Sequence, residues 1–284
     1  MIVVTGATGQ LGRLVIKALL KTQSASEIIA AVRSPEKAAD LATLGVQVRR
    51  ADYNDAATLD AAFKGADKLL LISSNELGQR AVQHRAAIDA AARNGVQLIG
   101  YTSVLHADTS PLGLAAEHCE TEEALRASGV PFVLLRNGWY TENYTGSLAP
   151  ALEHGAILGS AGDGKIASAA RADYAEAAAL AMTRDAQAGR VYELAGDSAY
   201  TLAELAAEVT RQSGKKVEYR NLSEADYKAA LIQVGLPEAL AALLSDSSTG
   251  ASKGALFDDG HQLSQLIGRP TTPLATVVAE ALAG

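Results

Sequence analysis

Cysteine is almost missing from this chain: 284 residues contain one, Cys119. A single thiol cannot close an internal disulfide, so a disulfide scaffold is excluded and a reducing compartment fits. Cys119 reads either as a small half-buried helix residue or as a reactive thiol. Basic runs are also short, none longer than Arg49-Arg50 or Lys215-Lys216, and the formal net charge is −7. A polyanion would be repelled, so no nucleic-acid partner is expected. No apolar stretch approaches the ~18 residues of a membrane span. The first apolar run starts at Ile2, which leaves no room for a signal peptide, and a cytoplasmic protein is expected. His84, His106, His118, His154 and His261 lack paired metal spacing and no metal site is expected. No G-x-S-x-G elbow points to a hydrolase.

What is present is ordinary for a globular protein, with 48% hydrophobic and 20% charged residues. The length suffices for one large domain, or a large and a small one, around a substantial core. Monomer and homo-oligomer both stay open.

The most informative segment is MIVVTGATGQLG at the start. Ile2, Val3 and Val4 form a short apolar run, glycines follow at 6, 9 and 12, and helical periodicity begins with Leu11, Leu14, Val15 and Ala18. Strand, glycine turn and helix in this order make a phosphate site. One glycine bends the chain, one lets backbone approach a pyrophosphate, and one lets helix and strand pack closely. The helix N-terminus adds unpaired N–H groups and partial positive charge. The spacing is G-x-x-G-x-x-G and not G-x-G-x-x-G, so the motif draws its weight from the strand before it and the helix after it.

Apolar strands and helices then alternate. Strands are predicted at 27–33, 46–52, 67–74, 96–103 and 131–136, with helices from Pro35, near 56–63, over 76–94 with Gly95 as C-cap, and over 112–128. The strands lack polar alternation, as expected when helices cover both sheet faces. The fold class is therefore α/β, a doubly wound parallel Rossmann sheet with a smaller C-terminal α/β lobe. Beyond Arg136 the rhythm loosens: a glycine-rich piece at 155–164, a helix at 173–184, a strand at 190–196 expected to rejoin the sheet, a helix at 201–213 with Thr201 near its N-cap, a strand at 216–222, and a helical run to about 245. The predicted division is residues 1–140 plus about 185–197 for the dinucleotide domain, and about 141–184 plus 198–284 for the smaller lobe.

NAD-preferring folds carry an acid about twenty residues beyond the glycines, on the ribose 2′-hydroxyl. Here Arg33 stands there, followed by Ser34 and Lys37. A cation suits a 2′-phosphate, so NADPH is the expected cofactor, the alternative being a solvated strand end. Asp52 closes the third strand, either reaching the adenine amino group or serving as a turn residue.

With VTGATGQLG, Arg33 before SPEK, ADYND at 51–55 and HCETEEALRASGVPFVLLRNGWYTENY at 118–144, the chain resembles the NmrA-like group of atypical short-chain dehydrogenases. Its LRNGWYTEN block is similar to that of members that reduce quinones with NADPH. The resemblance implies that Gly6, Ala7, Thr8, Gly9, Gln10 and Leu11 face the phosphates and Arg33 the 2′-phosphate. It places Ser73, Ser74 and Asn75 beside the inner ribose and nicotinamide. Asn137, Gly138, Trp139, Tyr140, Thr141, Glu142 and Asn143 would cover the nicotinamide. Trp139 and Tyr140 could instead be packing aromatics and Asn137 a turn residue. Arg171 is expected to close over the ligand or to pair with Asp173.

One departure limits the chemistry. Short-chain dehydrogenases use Tyr-x-x-x-Lys on the helix after strand five, with a Ser at the strand end, to pass a proton to an alkoxide. Ser103 stands at that strand end, but the helix GLAAEHCETEEAL holds neither tyrosine nor lysine. A simple ketone reductase is disfavoured. A quinone needs no strong acid, because hydride transfer gives an aromatic hydroquinone anion that water or a weak neutral donor can protonate. Asn137, Tyr140 and Tyr101 are the candidate catalytic groups, with Asn143 and Ser74 as further neutral donors. His118 is placed either toward the pocket or in solvent. The expected activity is an NADPH-dependent quinone oxidoreductase with direct hydride transfer and no flavin. The alternative is a non-catalytic NADP(H)-sensing regulator, which the same missing pair would also permit.

Overall fold

The computed structural model of the chain describes residues 1–76, 78–146 and 148–284. In chain order the elements are β1 (Ile2–Val4), α1 (Gln10–Leu19), β2 (Ile28–Val32), α2 (Ala39–Thr43), β3 (Gln47–Arg50), α3 (Ala56–Phe63), β4 (Lys68–Leu71), α4 (Arg80–Arg93), β5 (Leu98–Val104), α5 (Ala115–Ala127), β6 (Phe132–Asn137), α6 (Glu142–Thr145) and α7 (Leu148–His154). They continue with β7 (Ala156–Gly159), α8 (Arg171–Thr183), β8 (Val191–Leu194), α9 (Leu202–Ser213), β9 (Glu218–Asn221), α10 (Glu224–Gln233), α11 (Glu238–Ser252), α12 (Gln262–Ile267) and α13 (Leu274–Ala283). No helix among the described residues is long and apolar enough to cross a membrane.

Seven strands form one sheet in the order β3-β2-β1-β4-β5-β6-β8. The first six run parallel, with Val3 opposite Ile29 on one side and Leu69 on the other. Chain direction reverses its spatial march at β1, the arrangement that opens a ligand crevice at the strands' carboxyl ends. Every residue of β1, β2 and β5 is buried, which explains the unbroken apolar runs of β1 and β2 and makes Thr102 and Ser103 buried polar groups of β5.

The chain divides into two compact units: residues 1–107, 117–137 and 172–192 form unit 1, and 108–116, 138–171 and 193–284 form unit 2. The helix predicted at 173–184 was expected in the smaller lobe, and this is corrected: α8 beyond Arg171 belongs to unit 1. Its C-terminal end is bound to the sheet, with Lys68 Nζ donating to the Met182 carbonyl at 2.8 Å. Met182 Sδ also lies so close to Gly100 that a Cβ there would sit 2.5 Å from it. The helix predicted over 76–94 starts later, at Arg80, and Leu77 within that prediction lies outside the described residues. Ser74 Oγ accepts the Glu76 N–H at 3.2 Å, a local bond that competes with helix formation.

Unit 2 holds a two-stranded parallel sheet of β7 and β9, registered Ile157 to Tyr219. The strand at β7 was not predicted, because glycines at both ends masked it. Helix α9 begins with a capping box in which Thr201 accepts from Glu204 N–H and Glu204 from Thr201 N–H, at 3.1 and 2.7 Å.

The contact that positions the glycine turn is Gly12. A Cβ there would strike the Gly6 carbonyl oxygen and lie 2.7 Å from Ala7 Cα, both backbone atoms of the turn itself. Thr5 ties this turn to the neighbouring strand, its Oγ1 accepting the Ile72 N–H at 3.0 Å.

Beneath α4 and α5 the packing is polar. The buried face of α5 carries His118, Thr121, Glu122 and Leu125 at helical spacing. Each polar group has a partner: Tyr101 Oη and His118 Nδ1 are 2.7 Å apart, His84 Nδ1 and Thr121 Oγ1 2.9 Å. Ser103 Oγ donates to Glu122 Oε1 at 2.7 Å, and Arg136 grips the same carboxylate at 2.9 and 2.8 Å. Burial pushes the Glu122 carboxyl up, but Arg136, Ser103 and Arg126 outweigh it and hold the pKa below the ordinary value. His84 Nε2 accepts the Ser74 N–H at 2.9 Å, and Thr121 Oγ1 donates to the Glu117 carbonyl. That network assigns the neutral imidazole with its proton on Nδ1. Burial, assisted by the Arg80 charge, pulls the His84 pKa down to about 3.

Two outcomes follow. Gly12→Ala should destabilise the protein by about 1–3 kcal/mol in urea unfolding, despite alanine's higher helix propensity, because the obstructing atoms are backbone. His84 titrates near 6.5 when unfolded and near 3 when folded, so its contribution is complete above pH 6.5 and is lost as pH falls toward 3. By pH 5 the loss should be about 2 kcal/mol. Urea unfolding at pH 7 and pH 5 should show a drop smaller by about that amount in His84→Gln.

Candidate active site

The parallel strands bring their carboxyl ends to one edge of unit 1, and the predicted residues collect there. Gly6–Leu11 follow β1, Arg33 follows β2, Asp52 follows β3, Ser73–Asn75 follow β4, and Asn137 ends β6. Gly6 has φ +59°, a left-handed conformation that glycine adopts without strain. Gly9 is the N-cap of α1 and supplies no capping side chain. The N–H groups of Gln10, Leu11 and Gly12 therefore have no intrahelical acceptor; Gly6, Gly9 and Gln10 are exposed, and the first turn of α1 holds no acidic residue. A pyrophosphate fits such a turn. Leu11 contributes backbone only, since its side chain is buried.

Arg13 was not anticipated. Its Nε donates to the Thr8 carbonyl at 3.2 Å and its Nη2 to the Lys37 carbonyl at 2.8 Å, and it pairs with Asp40. The Arg13 bond lowers the Asp40 pKa. This side chain fixes the phosphate turn against the segment after Arg33. Only its place, four residues after Gly9, could have signalled it.

Arg33 is 66% exposed and its Nη1 lies 2.7 Å from Glu76 Oε1. Asp52 Oδ1 accepts the Asn54 N–H at 3.0 Å, so this carboxylate does build a turn. Ser73 N–H donates to Thr102 Oγ1 at 2.8 Å, and Ser74 Oγ donates to Gln83 Oε1 at 2.6 Å. Arg80 Nε donates to the Ser74 carbonyl at 2.9 Å, and Asn75 is exposed. Asn137 is 6% exposed, and its Oδ1 is a buried acceptor with no hydrogen-bond partner. Such an atom is costly unless a donor arrives, which suits a ligand amide or hydroxyl.

In unit 2, Arg171 gathers the segment after Asn137. Its guanidinium carbon stands 4.8 Å from the centre of the Tyr140 ring, and its Nη2 lies 3.5 Å from Asn143 Oδ1. Both Glu142 carboxylate oxygens accept the Arg171 N–H, at 2.9 and 3.0 Å. Gly138 N–H donates to Leu194 O at 2.7 Å and Trp139 O accepts from Ala169 N–H at 3.1 Å. Trp139 and Tyr140 are half-buried.

Three expectations change, those for Tyr101, His118 and Thr141. Tyr101 is fully buried in the core beneath α4 and α5 with its hydroxyl on His118, so it cannot touch a substrate and leaves the catalytic set. Burial raises its pKa far above the ordinary range. His118 is neither in solvent nor in a pocket; it is the partner of Tyr101. Ser103, at the place of the family's catalytic serine, is engaged by Glu122. The Thr141 side chain is buried against Ser168 Oγ at 2.8 Å and has no ligand role. Sequence periodicity missed this because it treats buried polar residues as exposed.

Comparison with known proteins gives the family and the relatives of the whole chain. The model of the NmrA-like family matches residues 1–269. The chain is 63% identical to quinone oxidoreductase 2 of Escherichia coli over 98% of each chain. The crystal structure of an NADPH-dependent quinone oxidoreductase from that organism, complexed with NADPH, superposes with a TM-score of 0.97 at 62% identity, covering 99% of this chain and all of that one. A Citrobacter triphenylmethane reductase complexed with NADP(H) has a TM-score of 0.95 at 40% identity over 99% of this chain and 100% of that one. A glycine turn on a parallel sheet, a cation after β2 and a match across nearly the whole length have one reading: the chain belongs to the NmrA-like family.

Proposed function

We propose that the protein is an NADPH-dependent quinone oxidoreductase that transfers hydride to a quinone directly, without flavin. The observation that carries this is the 63% identity, over 98% of both chains, to a quinone oxidoreductase. NADPH, when bound, supplies the hydride. The chain's own residues bind and orient. The glycine turn and the first-turn N–H groups of α1 take the pyrophosphate. Arg33 takes the 2′-phosphate through charge-assisted bonds, and Asp52 keeps one carboxylate oxygen for the adenine amino group. Ser73, Ser74 and Asn75 serve the inner ribose, and Asn137 presents its open acceptor to the nicotinamide end. Tyr140, Asn143 and Arg171 form a neutral-donor and cation group suited to a flat, electron-poor ring and its oxygens.

No residue need act as a strong acid. The position that carries tyrosine and lysine in alcohol dehydrogenases is here the α5 face, where His118, Thr121 and Glu122 are buried and engaged. The reduced quinone is a weakly basic hydroquinone anion, so holding the two rings close provides most of the rate.

Flavin-free protein mixed with a small soluble quinone should oxidise NADPH rapidly and NADH more slowly. Tight NADPH binding without turnover would instead identify a nucleotide sensor. Arg33→Gln should raise the KM for NADPH roughly tenfold, equivalent to about 1.4 kcal/mol and one charge-assisted bond, with the KM for NADH little changed. Tyr140→Leu should lower kcat with quinone while leaving the Kd for NADPH within about twofold, read by turnover and by binding fluorescence, since a ring–cation contact of this kind is worth about 0.5–1 kcal/mol.

A further inference from the structure

Arg33 is not waiting free for a phosphate. Its Nη1 is paired to Glu76 Oε1 at 2.7 Å, with the two side chains 66% and 40% exposed. The second Glu76 oxygen, Oε2, accepts from Gln83 Nε2 at 2.6 Å. Gln83 is buried, and its own Oε1 accepts from Ser74 Oγ, which in turn accepts the Glu76 N–H. Glu76 is thus clamped by its backbone and by a buried amide, whereas Arg33 is a long, mostly exposed side chain. Of the two partners, Arg33 is the one able to move.

We infer that Glu76 is a specificity-determining residue that opposes the 2′-phosphate and so narrows the preference for NADPH over NADH. This rests on the reading of Arg33 as the 2′-phosphate cation. A 2′-phosphate can be received in two ways. Arg33 leaves Glu76, which then loses its ion-pair partner, or Arg33 holds both, which sets a phosphate dianion beside a carboxylate. Each carries an electrostatic cost that NADH, with a neutral 2′-hydroxyl, does not meet. The carboxylate therefore acts on one cofactor and not on the other. Its charge, and not its shape, is the operative property.

The direct test is calorimetric binding of 2′,5′-ADP and 5′-AMP to the full-length protein and to Glu76→Gln. The amide keeps the size and the hydrogen bond to Gln83 while removing the charge. Exposed pairs of this kind are worth up to about 1 kcal/mol, so Glu76→Gln should tighten 2′,5′-ADP roughly two- to fivefold and leave 5′-AMP unchanged. The gain should shrink at high salt, which a packing effect would not. The kcat/KM ratio for NADPH over NADH should rise by the same factor. Glu76→Ala, with its own melting curve as a folding control, should tighten 2′,5′-ADP as well. An unchanged ratio, equal shifts for both ligands, or weaker 2′,5′-ADP binding would overturn the inference; the last would make Glu76 a positioning residue for Arg33. Because the two ligands carry no nicotinamide, the result stands apart from quinone turnover, whose failure would count against the proposed activity alone.

Discussion

The close approach of α1 to β1 is the constraint on which the rest is built. Gly12 leaves no room for a methyl group between the helix and the turn that precedes it. The turn that meets Gly12 carries Gly6 at its left-handed φ of +59°, and the first N–H groups of α1 beside it have no intrahelical acceptor. Parallel pairing does the rest. Once β1 lies between β2 and β4, the residues after each strand must meet at the same edge. Arg33, Asp52, Ser73–Asn75 and Asn137 come from points spread over a hundred residues of chain, and the sheet alone gathers them. Arg13 then ties the glycine turn to the segment beyond Arg33, so these two features of the edge share one brace.

A second feature decides the chemistry. In alcohol dehydrogenases of related sequence the helix after β5 supplies the proton machinery. In this chain the same helix turns polar side chains inward and satisfies every one of them: His118 with Tyr101, Thr121 with His84, Glu122 with Arg136 and Ser103. Burial lowers both histidine pKa values, in the case of His84 to about 3. They are neutral at physiological pH and their protons are committed to structure. Half-satisfied, such a layer would be expensive; fully paired, it specifies one packing of α4 and α5 on the sheet. It also secures Ser74, whose N–H rests on His84. The layer thus supports the loop after β4, and its engaged groups suit the proposed substrate, whose reduced form needs no strong acid.

Much of this was legible in the sequence because the relevant signals are local. The strand–glycine–helix start, the fully apolar β1 and β2, and the cation at 33 follow from steric and burial rules that act over a few residues. Helix α3 spans Ala56–Phe63, the same residues its periodicity indicated. Other features depended on distant partners. Tyr101 reads as a catalytic candidate by its place near the end of β5, and only the tertiary structure shows its side chain facing His84 and His118 in the core. The three polar positions on one face of α5 look like a solvated surface until their partners on α4, β5 and β6 are known. The start of α4 moved because Ser74 and Gln83 bind the preceding loop. Strand β7 was hidden by its glycines and exists because β9 pairs with it from sixty residues away. The pair of Arg33 and Glu76 crosses from β2 to β4 and has no sequence signature at all.

Hydride is proposed to pass directly from NADPH to the quinone without a titrating protein acid. The measurement that tests it most directly is single-turnover mixing of flavin-free protein, preloaded with NADPH or with NADPH deuterated at the transferred C4 position, against excess quinone. Loss of NADPH and appearance of hydroquinone should coincide in one phase, slowed severalfold by deuterium, with the same rate from pH 6 to pH 8. A need for added flavin, an absent isotope effect with hydroquinone lagging behind NADPH loss, or a rate that titrates across that range would contradict it.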